Sequence, residues 1–152
     1  MPNPPSRTAS PLVLVVDDDD LVRDMVEASL MRAGYRVILA RDGEAAIDRL
    51  GTEAPDLILT DLFMPNCDGI ELLRSGRLTR GATPVIAMSG GYAGMDMLGA
   101  SQALGATATI AKPFLPNELV ELVRQTLETR TAGRAPSDLQ ATTNAAAADA
   151  CR

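Results

Sequence analysis

Five short runs of largely apolar residues recur along the chain, at 12–16, 36–40, 56–60, 84–88 and 107–111. They are apolar on consecutive rather than alternate positions, which predicts strands buried on both faces, as in a parallel sheet. Stretches of helical character lie between them. Val22, Met25, Val26, Ser29 and Ala33 fall on one helix face, with Gly34 as the stop. A second helix is expected over Glu44 to Leu50, preceded by Gly43 and ended by Gly51 and Pro55. Gly69 opens a third, to which Ile70, Leu73 and Leu78 supply apolar contacts. A fourth, about residues 95–104, is rich in Gly and Met and is expected to be the least rigid. Pro116-Asn117-Glu118 starts a fifth, with Leu119, Leu122, Val123 and Thr126 on one face. Such strict alternation predicts an α/β fold: a doubly wound five-stranded parallel sheet with five helices on its two faces.

The flanks read differently. Residues 1–10 hold three prolines and almost no large apolar side chain, and are expected to be a disordered leader. Residues 11–129 form the domain. Residues 130–152 are Ala, Thr and polar residues around one large aliphatic side chain, Leu139, and cannot bury enough apolar area to offset chain entropy. We expect a disordered tail there, and no output domain after it.

Four of these strands, the first, third, fourth and fifth, each end on a polar residue of chemical interest. The first runs into Asp17-Asp18-Asp19-Asp20, the third into Asp61, the fourth into Ser89 and the fifth into Lys112-Pro113. In an open parallel sheet, ligands bind beyond the carboxyl ends of the strands, so these residues can meet in one pocket although they are far apart in sequence. Asp19 and Asp20 suit a helix start, where carboxylates accept from free amides. Asp17 and Asp18 instead continue the strand. With Asp61 beside them they would repel one another unless a cation sat between. Mg²⁺ suits such an all-oxygen site, since it takes few protein carboxylates and keeps several waters.

Composition removes other classes. The chain has no histidine, which excludes imidazole-based acid–base catalysis and zinc sites. Cys67 and Cys151 have no metal-ligand or redox spacing and read as unpaired thiols in a reducing compartment. The net charge of −6, without a basic cluster, argues against nucleic acid or an anionic membrane as a direct partner. No apolar run approaches the roughly 18 residues that span a bilayer. A cytoplasmic location is expected.

Taken together, the acidic pair Asp17-Asp18, Asp61 before Met64-Pro65-Asn66-Cys67-Asp68-Gly69, then Ser89, then Lys112-Pro113 resemble the receiver domain of two-component response regulators. The resemblance covers roughly residues 11 to 129. It implies a flavodoxin-like sheet of order 2-1-3-4-5, with Asp61 as the phosphoacceptor. It also implies Asp18 and Asp61 as direct Mg²⁺ ligands, Asp17 acting through water, and the backbone carbonyl of Phe63 completing the set. Lys112 and Ser89 would contact the phosphoryl group, and Thr109 occupies the switch position where many members carry Tyr or Phe. Pro65, Gly69 and Pro113 take structural roles, with the Lys112–Pro113 bond cis.

By that resemblance the chain is a single-domain response regulator and not an enzyme in the ordinary sense, although it assists its own phosphorylation and dephosphorylation. A histidine kinase or histidine phosphotransfer protein would donate the phosphoryl group. A downstream protein target would read the change, or the group would move onward, with the chain a monomer or weak dimer. Two rivals remain open. One is a pseudo-receiver that binds partners without phosphorylation. The other is an aspartate-nucleophile phosphohydrolase, for which Asp18-x-Asp20 mimics the first motif but no further acidic motif follows Lys112.

Overall fold

The computed structural model describes residues 9–64, 69–74, 83–90, 99, 102–103 and 105–132. Its strands are β1 (Leu12–Val16), β2 (Arg36–Ala40), β3 (Leu57–Asp61), β4 (Val85–Ser89) and β5 (Ala108–Ala111). All pair in parallel, in the order β2-β1-β3-β4-β5. Four helices are described: α1 (Asp20–Arg32), α2 (Gly43–Thr52), α3 (Gly69–Arg74) and α4 (Pro116–Ala132). The α4 helix is the fifth helical stretch of the sequence. The fourth stretch lies almost wholly outside the described residues, as do the leader up to residue 8 and the tail from residue 133.

Consecutive residues of a strand point to opposite faces, so the apolar runs feed two separate cores. Leu14, Val16, Ile58, Val85 and Ala87 pack with Ala46 of α2 and Leu72 and Leu73 of α3. Val13, Val15, Leu57, Leu59, Ile86 and Met88 pack with Val26 and Leu30 of α1 and Leu119 and Val123 of α4. The sheet is therefore wound on both faces. Each fully buried Leu contributes about 2 kcal/mol of transfer free energy relative to an exposed one, so both cores add to the stability of the sheet. No helix among the described residues is long and apolar enough to cross a membrane.

The element bounds depart from the sequence expectation in ways that have physical causes. β3 begins at Leu57 rather than at residue 56, because Asp56 is used otherwise. Its amide donates to the Leu12 carbonyl at 2.7 Å, and its carboxylate accepts from the Leu12 amide at 2.9 Å. Arg130, near the end of α4, donates to the Asp56 carbonyl oxygen at 2.7 Å. This clasp joins the starts of β1 and β3 to the last helix, at the amino edge of the sheet. β4 begins after Pro84, which has no amide for the ladder, although its carbonyl accepts from Ile58.

Helix ends also shifted. Gly51 lies inside α2 rather than ending it, and α2 stops where Glu53 takes extended backbone. Ala33 caps α1 and is exposed, while Leu30 fills the core place on that face. Gly34 does follow the helix, with φ at 96°, a left-handed conformation that glycine adopts without strain. α4 runs to Ala132, past the domain boundary expected at 129.

Candidate functional site

The parallel register sets the site. Val16 lies opposite Thr60, Asp61 opposite Met88 and Ser89 opposite Ala111, so the ends of β1, β3, β4 and β5 reach one edge together. Asp17 and Asp18 follow β1 directly, Asp61 and Ser89 end their strands, and Lys112 follows β5. The Lys112 amide donates to the Ser89 carbonyl at 2.7 Å, which carries the β4–β5 pairing up to the site. The Lys112–Pro113 bond is cis.

Carboxylate oxygens of Asp17, Asp18 and Asp61 lie within 4.8 Å of one another. Asp17 and Asp61 are buried and Asp18 is exposed at the mouth. The Lys112 ammonium reaches in beside them, 2.6 Å from Asp17 Oδ2 and 3.5 Å from Asp61 Oδ2. Asp61 Oδ1 accepts from the Phe63 amide at 3.5 Å. The first helix begins at the same place: Asp19 is its N-cap and accepts from the Leu21 and Val22 amides, with Asp20 in the first turn.

Burial and charge compete at Asp61. Burial first, then the neighbouring Asp17 and more weakly Asp18, raise its pKa, while Lys112 and the Phe63 amide pull the other way. The result is a carboxyl pushed up to about 6. Lys112 shows the mirror image. Burial works against its charge, but the hydrogen bond and attraction to Asp17, with help from Asp61, outweigh that and raise its pKa.

Three carboxylates against one ammonium leave an excess of negative charge. The donor set is oxygen only, one carboxylate opens to water, and the chain contains no histidine to compete. That chemistry fits a hard divalent cation such as Mg²⁺ rather than zinc or copper. Asp17, Asp18 and Asp61 are the residues that could hold it.

The other expected site residues are placed as follows. Ser89 is buried at the end of β4. Thr109 sits in β5 opposite Ala87 and is half-buried. Gly69, the first residue of α3, lies hard against Asp61: a Cβ built there would come 2.0 Å from the Asp61 carbonyl oxygen. Only glycine permits that approach. Pro65 lies outside the described residues. Two residues in this framework went unread in the sequence. Arg23 of α1 donates to the Asp17 carbonyl oxygen, and Asp56 forms the clasp at the opposite sheet edge. The one sequence signal for Arg23 was its helical spacing of three from Asp20.

Comparison with known proteins agrees with this geometry. The family model described as "Response regulator receiver domain" matches residues 13–124. The alkaline phosphatase synthesis transcriptional regulatory protein PhoP of Bacillus subtilis (strain 168) is 37% identical over 116 residues, covering 76% of this chain and 48% of that protein. The response regulator MprA of Mycolicibacterium vanbaalenii is 35% identical over 119 residues, covering 78% of this chain and 51% of that one. This chain thus spans about half the length of those relatives. Among solved structures, the receiver domain of the Francisella response regulator 1452 superposes with a TM-score of 0.72 at 30% identity, covering 79% of this chain and 98% of that one. The response regulator receiver domain protein (CheY-like) of Methanospirillum hungatei JF-1 gives 0.75 at 29% identity, covering 82% and 99%. The chain belongs to the response regulator receiver domain family.

Proposed function

We propose that Asp61 is the phosphoacceptor of a two-component signalling pathway, taking its phosphoryl group from a histidine kinase or a histidine phosphotransfer protein. The observation that supports this best is the convergence of Asp17, Asp18 and Asp61 around a buried carboxylate, with the Lys112 ammonium at hydrogen-bonding distance from Asp17. A carboxylate oxygen of Asp61 forms the new O–P bond as the N–P bond of the donor histidine breaks, giving an acyl phosphate. Such transfer needs positioning and charge neutralisation more than covalent help. Asp18, Asp61 and the Phe63 carbonyl would hold Mg²⁺, with Asp17 acting through water. Bound there, the ion would neutralise charge on the phosphoryl oxygens. Lys112 provides a point cation to a phosphoryl oxygen, and Ser89 provides a hydroxyl donor.

The modification adds charge and three acceptor oxygens. Drawn toward them, Ser89 would bias a two-state equilibrium of the face around the ends of β4 and β5, where Thr109 sits. The chain then signals by protein contact or passes the phosphoryl group on, acting in the cytoplasm. Its acidic charge favours protein partners over nucleic acid. It is an acceptor rather than an enzyme with a separate substrate, though it assists its own chemistry.

Incubation with acetyl phosphate and Mg²⁺ tests this. The wild type should gain one phosphoryl mass, and Asp61→Asn should gain none. Wild type that stays unmodified, or an Asp61→Asn variant that takes up phosphate, rules out Asp61 as the acceptor.

A further inference from the structure

Arg23 is a charged side chain with only 15% of its surface exposed, and the phosphoryl chemistry above does not use it. From α1 its guanidinium reaches back over the turn that follows β1. One terminal nitrogen donates to the Asp17 carbonyl oxygen at 2.6 Å, and the other to the Asp20 carboxylate. Asp17 is thereby held at four points. Its amide donates to the Ala40 carbonyl at 3.2 Å. One carboxylate oxygen accepts from the Asp19 amide at 2.9 Å and the other from Lys112 at 2.6 Å. Its carbonyl is held by Arg23.

That fourth point has a particular consequence. The Asp17 carbonyl and the Asp18 amide belong to one planar peptide unit, so the direction of the carbonyl sets the plane from which Asp18 leaves the backbone. Asp18 is the exposed member of the acidic trio. We infer that Arg23 is a positioning residue for the metal site: its fork locks the Asp17–Asp18 peptide plane and so aims the Asp18 carboxylate at Asp17 and Asp61. The inference rests on the proposed function for its purpose, but its geometry stands on the two Arg23 contacts.

Arginine is suited to this because its planar guanidinium bridges two acceptors in fixed directions, whereas lysine offers a point charge on a flexible stem. Charge and position also predict opposite signs. A cation near an acidic cluster repels Mg²⁺, so loss of its charge alone should tighten metal binding. Loss of the lock should weaken it, since groups that orient metal ligands are worth about 10–100-fold in affinity.

The experiment is Mg²⁺ titration by calorimetry on wild type, Arg23→Gln and Arg23→Lys, with thermal melts alongside. Phosphorylation by acetyl phosphate is then followed against Mg²⁺ concentration. Both variants should bind Mg²⁺ about tenfold more weakly, and saturating Mg²⁺ should restore their phosphorylation rate. Arg23→Gln that binds as tightly as wild type or tighter overturns the inference. So does wild-type affinity in Arg23→Lys, because a flexible point donor would then serve as well as the fixed fork. A lower melting temperature with unchanged affinity would assign Arg23 to stability and overturn it too. Should Arg23→Gln fail to fold, Arg23→Lys decides alone. Wild type that binds Mg²⁺ yet takes no phosphate refutes the proposed function and leaves the Mg²⁺ comparison intact.

Discussion

Asp61 is held in a protein environment that disfavours its own charge. Its carboxyl sits at about 6 against an ordinary 3.8, first because it is buried and next because Asp17 is its neighbour. A group whose folded pKa is raised binds a proton in the folded state that the unfolded chain has already released. Without divalent cations, stability should therefore fall as pH rises through the window from about 4 to about 6, and the cost should be fully present above it. Asp61→Asn removes that cost. One pKa unit corresponds to about 1.4 kcal/mol, and water at the pocket mouth screens part of the shift, so the variant should be more stable by on the order of 1–2 kcal/mol near neutral pH. Below about pH 4 the two proteins should converge. Urea unfolding of both proteins in a chelating buffer, from acid to neutral pH, reads this directly. A difference that is flat across the window means that burial does not set the Asp61 charge. Adding Mg²⁺ should shrink the variant's advantage, because a bound cation favours the ionised carboxyl.

At the scale of elements, the site depends on how closely α3 approaches β3. Gly69 has no side chain to hold the helix off the Asp61 carbonyl, and a Cβ there would sit 2.0 Å from that oxygen. Gly69→Ala must push apart two backbones rather than one flexible side chain. We expect a loss of about 1–3 kcal/mol, as for an overpacked core, together with weaker Mg²⁺ binding because Asp61 moves. A variant with wild-type urea midpoint and wild-type Mg²⁺ affinity would mean that α3 can shift without cost. The strands themselves were legible in the sequence, since consecutive apolar residues ending on a polar one leave few other readings. Asp17, Asp18, Asp61, Ser89 and Lys112 were legible for the same reason: each interrupts or follows such a run. Arg23 was not, because its partner is a main-chain carbonyl, and no pattern of side chains marks that. Asp56 reads as part of β3 because a polar residue before an apolar run looks like a strand start, and its hydrogen bonds to Leu12 are long-range. The helix α2 continues through Gly51 because Leu50 beside it packs against the core, which outweighs a weak local preference.

For the whole molecule, the clasp of Asp56 with Leu12 and Arg130 decides how the domain would carry tension. Residues 11 and 132 both lie near the amino edge of the sheet, and Arg130 ties the last helix down there. Stretched between those two residues, the chain first loads that contact and peels α4 from its carboxyl end, one turn at a time. Force then enters at the start of β1 and at the far end of β5. Parallel strands pulled from opposite ends are loaded in shear, so the ladders across β1, β3, β4 and β5 share the load rather than unzipping in turn. Single-molecule stretching between these positions should show a weak early step and a strong late one. Arg130→Ala should lower the first and leave the second unchanged. If the late rupture weakens as well, the clasp bears on the sheet itself. With the two steps independent, the molecule is a spring with a latch: soft where its last helix is fastened, and stiff along the strands that aim the acidic pocket.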